Sequence, residues 1–427
     1  MEHAIPLRRV TSKGRLIAAA TVGNALEFYD FTLYSFFAIT IGKLFFPFGD
    51  IWTGILFALA TYGVGFLVRP LGGAILGSYA DRAGRKAAVV LTLFLMAAGT
   101  ATIGLAPTYD AIGMWGPLVL LLGRILQGFS AGGEVGASTT LLVEHAPSNA
   151  RGFFGSWQVA SQGLGIAVAA FAAMLVFTTL TPEAAESWGW RVPFLLGSLI
   201  LPVGIFLRLS IDESLPPRTE RDPRTQQLNV VFRNYWRRLV VGILVVTGGT
   251  ATTTVVLFYM STYAIRTLHL HPGIALGAAL IAGIVSLLAA PLFGQWSDRM
   301  GRRPMMTAGV VLSMATIYPA FMLINLHPTA QALFAVVVIL SIFNAMANAP
   351  GITALTEYFP TRVRATGLSL VYAGGVTIFG GFGQFIVVWL AKVTDEPLSP
   401  AFFVIVAGLF SLAGIYWLPE RSKQPLE

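Results

Sequence analysis

Five ionisable residues stand inside long apolar runs, where a bare charge is costly: Glu27 and Asp30, then Arg69, then Arg124 and Glu134. Two kinds of chemistry call for such residues. A carboxyl whose surroundings alternate between wet and dry can take up and release a proton near neutral pH, which puts Asp30, Glu134 and Glu27 forward as proton carriers. A guanidinium shielded from water grips a carboxylate through paired hydrogen bonds, which puts Arg69 and Arg124 forward as cations for an anionic small molecule. Asn24, Glu27 and Tyr34, with Asp30 beside them, form one polar stripe; Arg124, Gln127, Ala131 and Glu134 form another. The same residues could instead be structural ion pairs that lock helices together.

The elements that hold them follow from composition. Of 427 residues, 55% are hydrophobic and 11% charged, and a bilayer core is crossed by about 20 apolar residues of helix. Apolar stretches near 16–46, 51–78, 86–107, 112–145, 152–180, 191–210, 237–265, 272–296, 304–326, 329–357, 364–391 and 399–418 take up nearly the whole length. The chain therefore reads as an all-α membrane protein of twelve spans, which excludes a soluble enzyme, a disordered tail and a nucleic-acid binder. A lone charge at mid-bilayer costs about 2.5 kcal/mol or more, so the five ionisable residues must face a cavity or one another.

The charges outside the spans alternate by loop. With a cytoplasmic N-terminus, 22 of the 28 basic residues fall on that side, and only Lys43, Arg191, Arg266 and Lys392 fall on the other. This asymmetry predicts both termini in the cytoplasm of a cell inner (plasma) membrane protein. The basic start meets Asn24, Glu27 and Asp30 and then stays apolar, so no cleaved signal is expected.

Comparing the chain with itself shows two repeats. Gly77-Ser-Tyr-Ala-Asp81-Arg82-Ala-Gly84-Arg85-Lys86 returns as Gly294-Gln-Trp-Ser-Asp298-Arg299-Met-Gly301-Arg302-Arg303, and Glu144-x2-Pro147-x3-Arg151 returns as Glu357-x2-Pro360-x3-Arg364. Two motifs repeated in the same order imply a duplicated six-helix unit: residues 1–210, a polar cytoplasmic linker at 211–236, and 237–427. Duplicated halves are what alternating-access transporters are built from, with substrate between them.

The repeated Gly-x3-Asp-Arg-x-Gly-Arg-[Lys/Arg] loop resembles the signature of the major facilitator superfamily, and the resemblance covers the whole chain. Gly23-Asn24-x2-Glu27-x2-Asp30, Arg69-Pro70-x-Gly72-Gly73, Arg124-x2-Gln127-Gly128 and Trp188-Gly-Trp-Arg191 resemble its metabolite:proton symporter branch. Thr252 to Thr254, the Ala354 to Glu357 segment and Ile378 to Gly381 look most like the citrate and tricarballylate carriers. The resemblance implies proton-coupled uptake of an organic acid, and it makes Arg69 and Arg191 important for transport. Arg191 follows Trp188 and Trp190 at a span end, so an interface anchor is an equal reading.

The second half offers only neutral hydrogen-bonders for a substrate: Thr253, Tyr259, Tyr263, Asn344 and Asn348, joined from the first half by Tyr34, Gln158 and Gln162. Many such side chains merely satisfy each other between helices. The repeated motifs read as gates. Asp81, in the motif opened by Gly77, would meet the N-terminus of the eleventh span near Arg364, with Arg85 answering Glu144; Asp298 would meet the start of the fifth near Arg151, with Arg302 answering Glu357. Gly128-x3-Gly132-x3-Gly136 reads as a packing stripe.

No Cys and no His-Glu-x2-His are present, the five His lie at span ends or loops, and no phosphate-binding Gly-x4-Gly-Lys occurs, so an enzyme, a metal site, a cofactor and an ATP-driven pump are not expected. The expected partners are a small carboxylate, protons and the bilayer, with a monomeric carrier. The reading is a citrate-type proton symporter. Its alternatives are a symporter for 2-oxoglutarate, a shikimate-like or aromatic acid, or proline or betaine. A transport-silent nutrient sensor is more remote: the chain ends nine residues after its last span, short of a signalling extension.

Overall fold

The computed structural model describes residues 13–83, 85–132, 134–198 and 230–426. Gly77 and the side chains of Asp81, Arg85 and Glu134 lie outside that description, as does most of the 211–236 linker, whose end at 230–234 is helical. The described residues are helical throughout and contain no strand. Lipid offers no hydrogen bonds to a bare backbone, so each crossing segment must satisfy its own N–H and C=O groups.

In chain order the spans are α1 (Lys13–Phe36, then Ala38–Phe45), α2 (Ile51–Leu67, then Arg69–Ala83), α3 (Arg85–Leu105), α4 (Trp115–Ala131, then Glu134–Glu144) and α5 (Arg151–Thr179). The described start of α6 is 191–198. There follow α7 (Trp236–Arg266), α8 (Pro272–Met300), α9 (Arg302–Leu326), α10 (Ala330–Tyr358), α11 (Arg364–Thr394) and α12 (Ser399–Trp417). Nine of these are long and apolar enough to cross a membrane on those grounds alone. One expectation needs correcting: the repeated motif is not all loop. Helix α8 runs four residues past its predicted end, its last turn closed by the Gly301 amide donating to the Ser297 carbonyl at 3.0 Å. The helix stops only at Gly301, whose φ of 97° is open to glycine alone at little cost.

The face that carries the start of α1 and the end of α12 is called here the terminal face, and the opposite one the far face. Helices α5 and α8 run antiparallel in contact from face to face. At mid-length a Cβ on Gly163 would sit 2.7 Å from the Gly283 carbonyl oxygen, so only glycine permits this approach. The glycine stripe of α4 behaves as expected: Cβ atoms at Gly128 and Gly132 would fall on the Gly65 and Arg69 carbonyls of α2, and one at Gly136 on Ser369 of α11. Wider π turns interrupt α7 at Thr254–Tyr259 and α11 at Thr377–Gly381; such turns release backbone groups and are frequent at functional sites.

Candidate functional site

Close packing of α1, α2, α3 and α4 brings four of the five ionisable side chains, Glu27, Asp30, Arg69 and Arg124, into one core and sets Arg124 at its centre. Its Nη1 donates to Gln127 Oε1 at 2.7 Å and its Nη2 to the Tyr62 carbonyl at 3.2 Å. Three rings close around its Cζ, Phe31 and Tyr34 at 4.7 Å and Tyr62 at 4.6 Å. A desolvated cation gains about 2 kcal/mol from an aromatic face, which holds the charge without spending it on a carboxylate. The guanidinium is fully buried, its Nε has no hydrogen-bond partner, and no carboxylate lies within ion-pair distance of it among the described residues.

Asp30 is the nearest acid to consider, and it does not pair with Arg124 directly. Its Oδ2 accepts from Thr100 at 2.8 Å, Thr100 accepts from Gln127 Nε2 at 2.8 Å, and Gln127 reaches Arg124. The other oxygen, Oδ1, is buried without a hydrogen bond. Two side chains, Thr100 and Gln127, thus stand between Asp30 and Arg124. Thr100 was not singled out by the sequence, since one Thr in the Leu-Met-Ala-Ala-Gly-Thr run carries no spacing signal.

Arg69 and Glu27 form a buried ion pair at 3.0 Å, with Arg69 also over the rings of Phe31 at 4.3 Å and Phe66 at 4.1 Å. This is the structural alternative anticipated for the charged set, realised for one pair. Tyr34 stacks under Arg124 and donates to the Ala58 carbonyl at 3.2 Å. Arg191 serves elsewhere: it donates to the Gly104 and Ala106 carbonyls that end α3 and lies 4.5 Å over Trp190. These contacts leave Arg191 out of the Arg124 core.

Among the neutral candidates, Gln158 accepts from Ser138 at 3.1 Å and keeps an unpartnered buried Nε2, while Gln162 is half-buried one turn on. Asn344 donates to Thr253 at 2.9 Å and accepts from Asn348 at 2.7 Å, beside a small cavity of about 20 Å³ that Asn348 and Tyr372 help to line. Tyr259 is buried against Tyr263. Tyr263 points away, donating to the Pro397 carbonyl and accepting from Asn325 near the far face. Ser35 of α1 donates to Gln384 of α11 at 2.8 Å, one of the few polar contacts between the halves at this level.

Both faces are bridged. On the terminal face Asp298 accepts from the Gly152 and Phe153 amides at the start of α5, at 2.8 and 3.0 Å. Arg302 forks onto Glu357 at 3.3 and 3.1 Å and reaches Asp298 at 2.9 Å, and Arg151 lies 3.9 Å from Glu357. Glu144 is met by Arg364 at 2.6 Å, a partner the repeat did not name. On the far face Lys392 of α11 donates to Asp50 at 3.0 Å and Thr53 at 2.9 Å at the start of α2.

The comparisons with known proteins agree with this architecture. Residues 16–218 match a family model described as sugar (and other) transporter, and residues 267–427 match one described as Major Facilitator Superfamily. A citrate-proton symporter of Klebsiella pneumoniae is 35% identical, covering 99% of this chain and 96% of that protein. The chain belongs to the major facilitator superfamily. Within the superfamily its relatives include a proline/betaine transporter of Escherichia coli, 32% identical over 99% of this chain and 88% of that one. An alpha-ketoglutarate permease of the same species is 34% identical over 93% and 92%. The solved xylose transporter XylE from E. coli superposes with a TM-score of 0.78 at 18% identity, covering 97% of this chain and 99% of that chain, which speaks to fold.

As a superfamily member the chain is a secondary active transporter of the proton-symporter type and not an enzyme, with twelve spans in two pseudo-symmetric six-helix bundles. The geometry holds a buried acid, Asp30, and a buried cation, Arg124, within one connected polar cluster.

Proposed function

We propose that this chain imports citrate or a related di- or tricarboxylate together with protons, by alternating access between the halves 1–210 and 237–427. The observation that carries the reading is Arg124: a buried cation with a bare Nε–H and no described carboxylate against it. Such a charge calls for an anionic partner, and the full-length similarity to citrate-proton symporters supports a carboxylate.

Asp30 is the proton site in this reading. Ionised, it offsets part of the Arg124 charge from behind; protonated, it leaves that charge whole for the substrate carboxylate. Proton and substrate then favour each other's binding by the same factor, as linkage demands. Glu134 and Glu27 are the reserve acids, with Glu27 committed to Arg69 in this conformation. Arg69, Tyr34, Gln158, Gln162, Thr253, Tyr259, Asn344 and Asn348 are retained as substrate-facing candidates, and Arg191 and Tyr263 as supports. The terminal-face contacts, with Asp81 and Arg85, form a gate. The terminal face is cytoplasmic, the membrane is the bacterial inner membrane, and the carrier works as a monomer.

The test is labelled citrate uptake into liposomes holding the purified protein, with and without an acid-outside gradient at zero membrane potential. Accumulation that needs the gradient, is competed by tricarballylate and is lost in Arg124→Ala is the expected result. Uptake of 2-oxoglutarate, proline or betaine in place of citrate would overturn the substrate class while leaving the coupling reading intact.

A further inference from the structure

We propose that Thr100 is a positioning residue that holds the proton site apart from the substrate cation while keeping the two in contact. The inference rests on the proposed roles of Asp30 and Arg124 and deepens them.

Thr100 is fully buried on α3, at the level where Asp30 of α1 and Gln127 of α4 converge. Its hydroxyl carries one proton and has two acceptors within reach, Asp30 Oδ2 at 2.8 Å and the Met96 carbonyl at 3.0 Å. It also accepts from Gln127 Nε2 at 2.8 Å. A hydroxyl has one donor and two acceptor positions, and that inventory matches both protonation states. With Asp30 ionised, the Thr100 proton points to the carboxylate. With Asp30 protonated, the carboxyl O–H donates to Thr100 Oγ and the hydroxyl turns its own proton to Met96. Gln127 donates to Oγ in either state, so its amide need not flip, and its Oε1 stays on Arg124. Proton uptake at Asp30 thus changes the charge behind Arg124 while every hydrogen-bonding side chain keeps its place.

The surroundings leave this hydroxyl alone in that role. It makes the one hydrogen bond to Asp30 among the described residues, and Asp30 Oδ1 has none. The titratable groups around Asp30 are Tyr29, which donates to the Pro193 carbonyl, and Glu27, which is paired with Arg69, on and beside α1; Arg124 comes from α4. Helix α3 contributes Thr100 and no charge, and the described part of α6 presents Gly197, where a Cβ would sit 2.8 Å from Asp30 Oδ1.

Two variants in the full-length protein test the idea: Thr100→Val, which keeps the branched shape and removes the hydroxyl, and Thr100→Ser, which keeps the hydroxyl. In liposomes, the ratio of gradient-driven citrate accumulation to citrate exchange at equal pH should fall about tenfold or more in Thr100→Val and return in Thr100→Ser. An unchanged ratio in the valine variant, or an equal loss in both, overturns the proposal. A second arm needs no substrate: labelling of Asp30 by a hydrophobic carbodiimide, read by peptide mass across pH, with Asp30→Asn as the blank. The pH of half-labelling should move by about one unit in Thr100→Val, the equivalent of one hydrogen bond to a charged group, and return in Thr100→Ser. No movement there refutes the role of Thr100 even if citrate proves the wrong substrate.

Discussion

Two buried arginines one helix apart are held in opposite ways, and each way predicts its own mutant. Arg69 is paired with Glu27, whose side chain is wholly buried. Removing one member of such a pair strands a charge at a cost of about 3–5 kcal/mol, whereas replacing both with apolar or neutral groups is often close to neutral. Arg69→Ala should therefore lower the melting temperature in detergent sharply, and Arg69→Met with Glu27→Gln should recover most of it. A single variant as stable as the double would show that the pair is not structural. Arg124 is held by rings, the Tyr62 carbonyl and the Gln127 amide oxygen, with no carboxylate to strand, so its loss should tell on transport first. Asp30→Asn should cut gradient-driven accumulation about tenfold more than exchange; full accumulation would transfer the proton role to Glu134 or Glu27. None of the Arg124 cage was legible from spacing, because Phe31, Tyr34 and Tyr62 belong to two other helices.

At the scale of elements, helix ends carry the bridges between the halves. The start of α5 receives the Asp298 carboxylate on two amides, and an anion at a helix N-terminus is worth about 0.3–2 kcal/mol. Asp298→Asn should loosen the terminal face by a comparable amount. The chain has no cysteine, so a Ser156→Cys reporter beneath this contact should react with maleimide about fivefold faster in the Asp298→Asn background, the equivalent of about 1 kcal/mol. At the far face, hydrogen bonds from Thr53 and then from Lys392 hold the Asp50 carboxyl down at about 2. A carboxyl held below its ordinary value contributes its contact above that ordinary value and loses it only as pH falls through the depressed one. The Asp50 to Lys392 latch should then be constant from pH 5 to pH 8, about the range over which an acid-outside gradient acts. Far-face cysteine accessibility that changes with pH in the unsubstituted latch, and no longer does so in Asp50→Asn, would contradict this.

For the whole molecule, contacts join the halves on both faces, with a continuous α5 to α8 seam between them. Transport then requires each bridge to break in turn while the seam rocks. A short bifunctional thiol reagent joining cysteines at Asp50→Cys and Lys392→Cys should abolish uptake, and the unlinked double variant should retain measurable uptake. Transport by the cross-linked protein would mean that the halves do not separate at α2 and α11.

The architecture was legible in the chain because lipid leaves few choices. Apolar runs of span length must be helices, and the bounds that fall among the described residues lie within about five residues of those observed. The contacts of Arg302 with Glu357 and of Asp298 with α5 were legible too, since a motif repeated in both halves marks matching helix ends. What tertiary structure alone decided was the pairing of the buried charges. It gave Arg69 to Glu27, set Thr100 and Gln127 between Asp30 and Arg124, turned Arg191 onto the carbonyls of α3 and sent Tyr263 toward the far face. These choices depend on the rotation and depth of helices far apart in sequence. A hydrogen bond or ion pair is won or lost within about 1 Å, while spacing along one helix locates a side chain only on its own face.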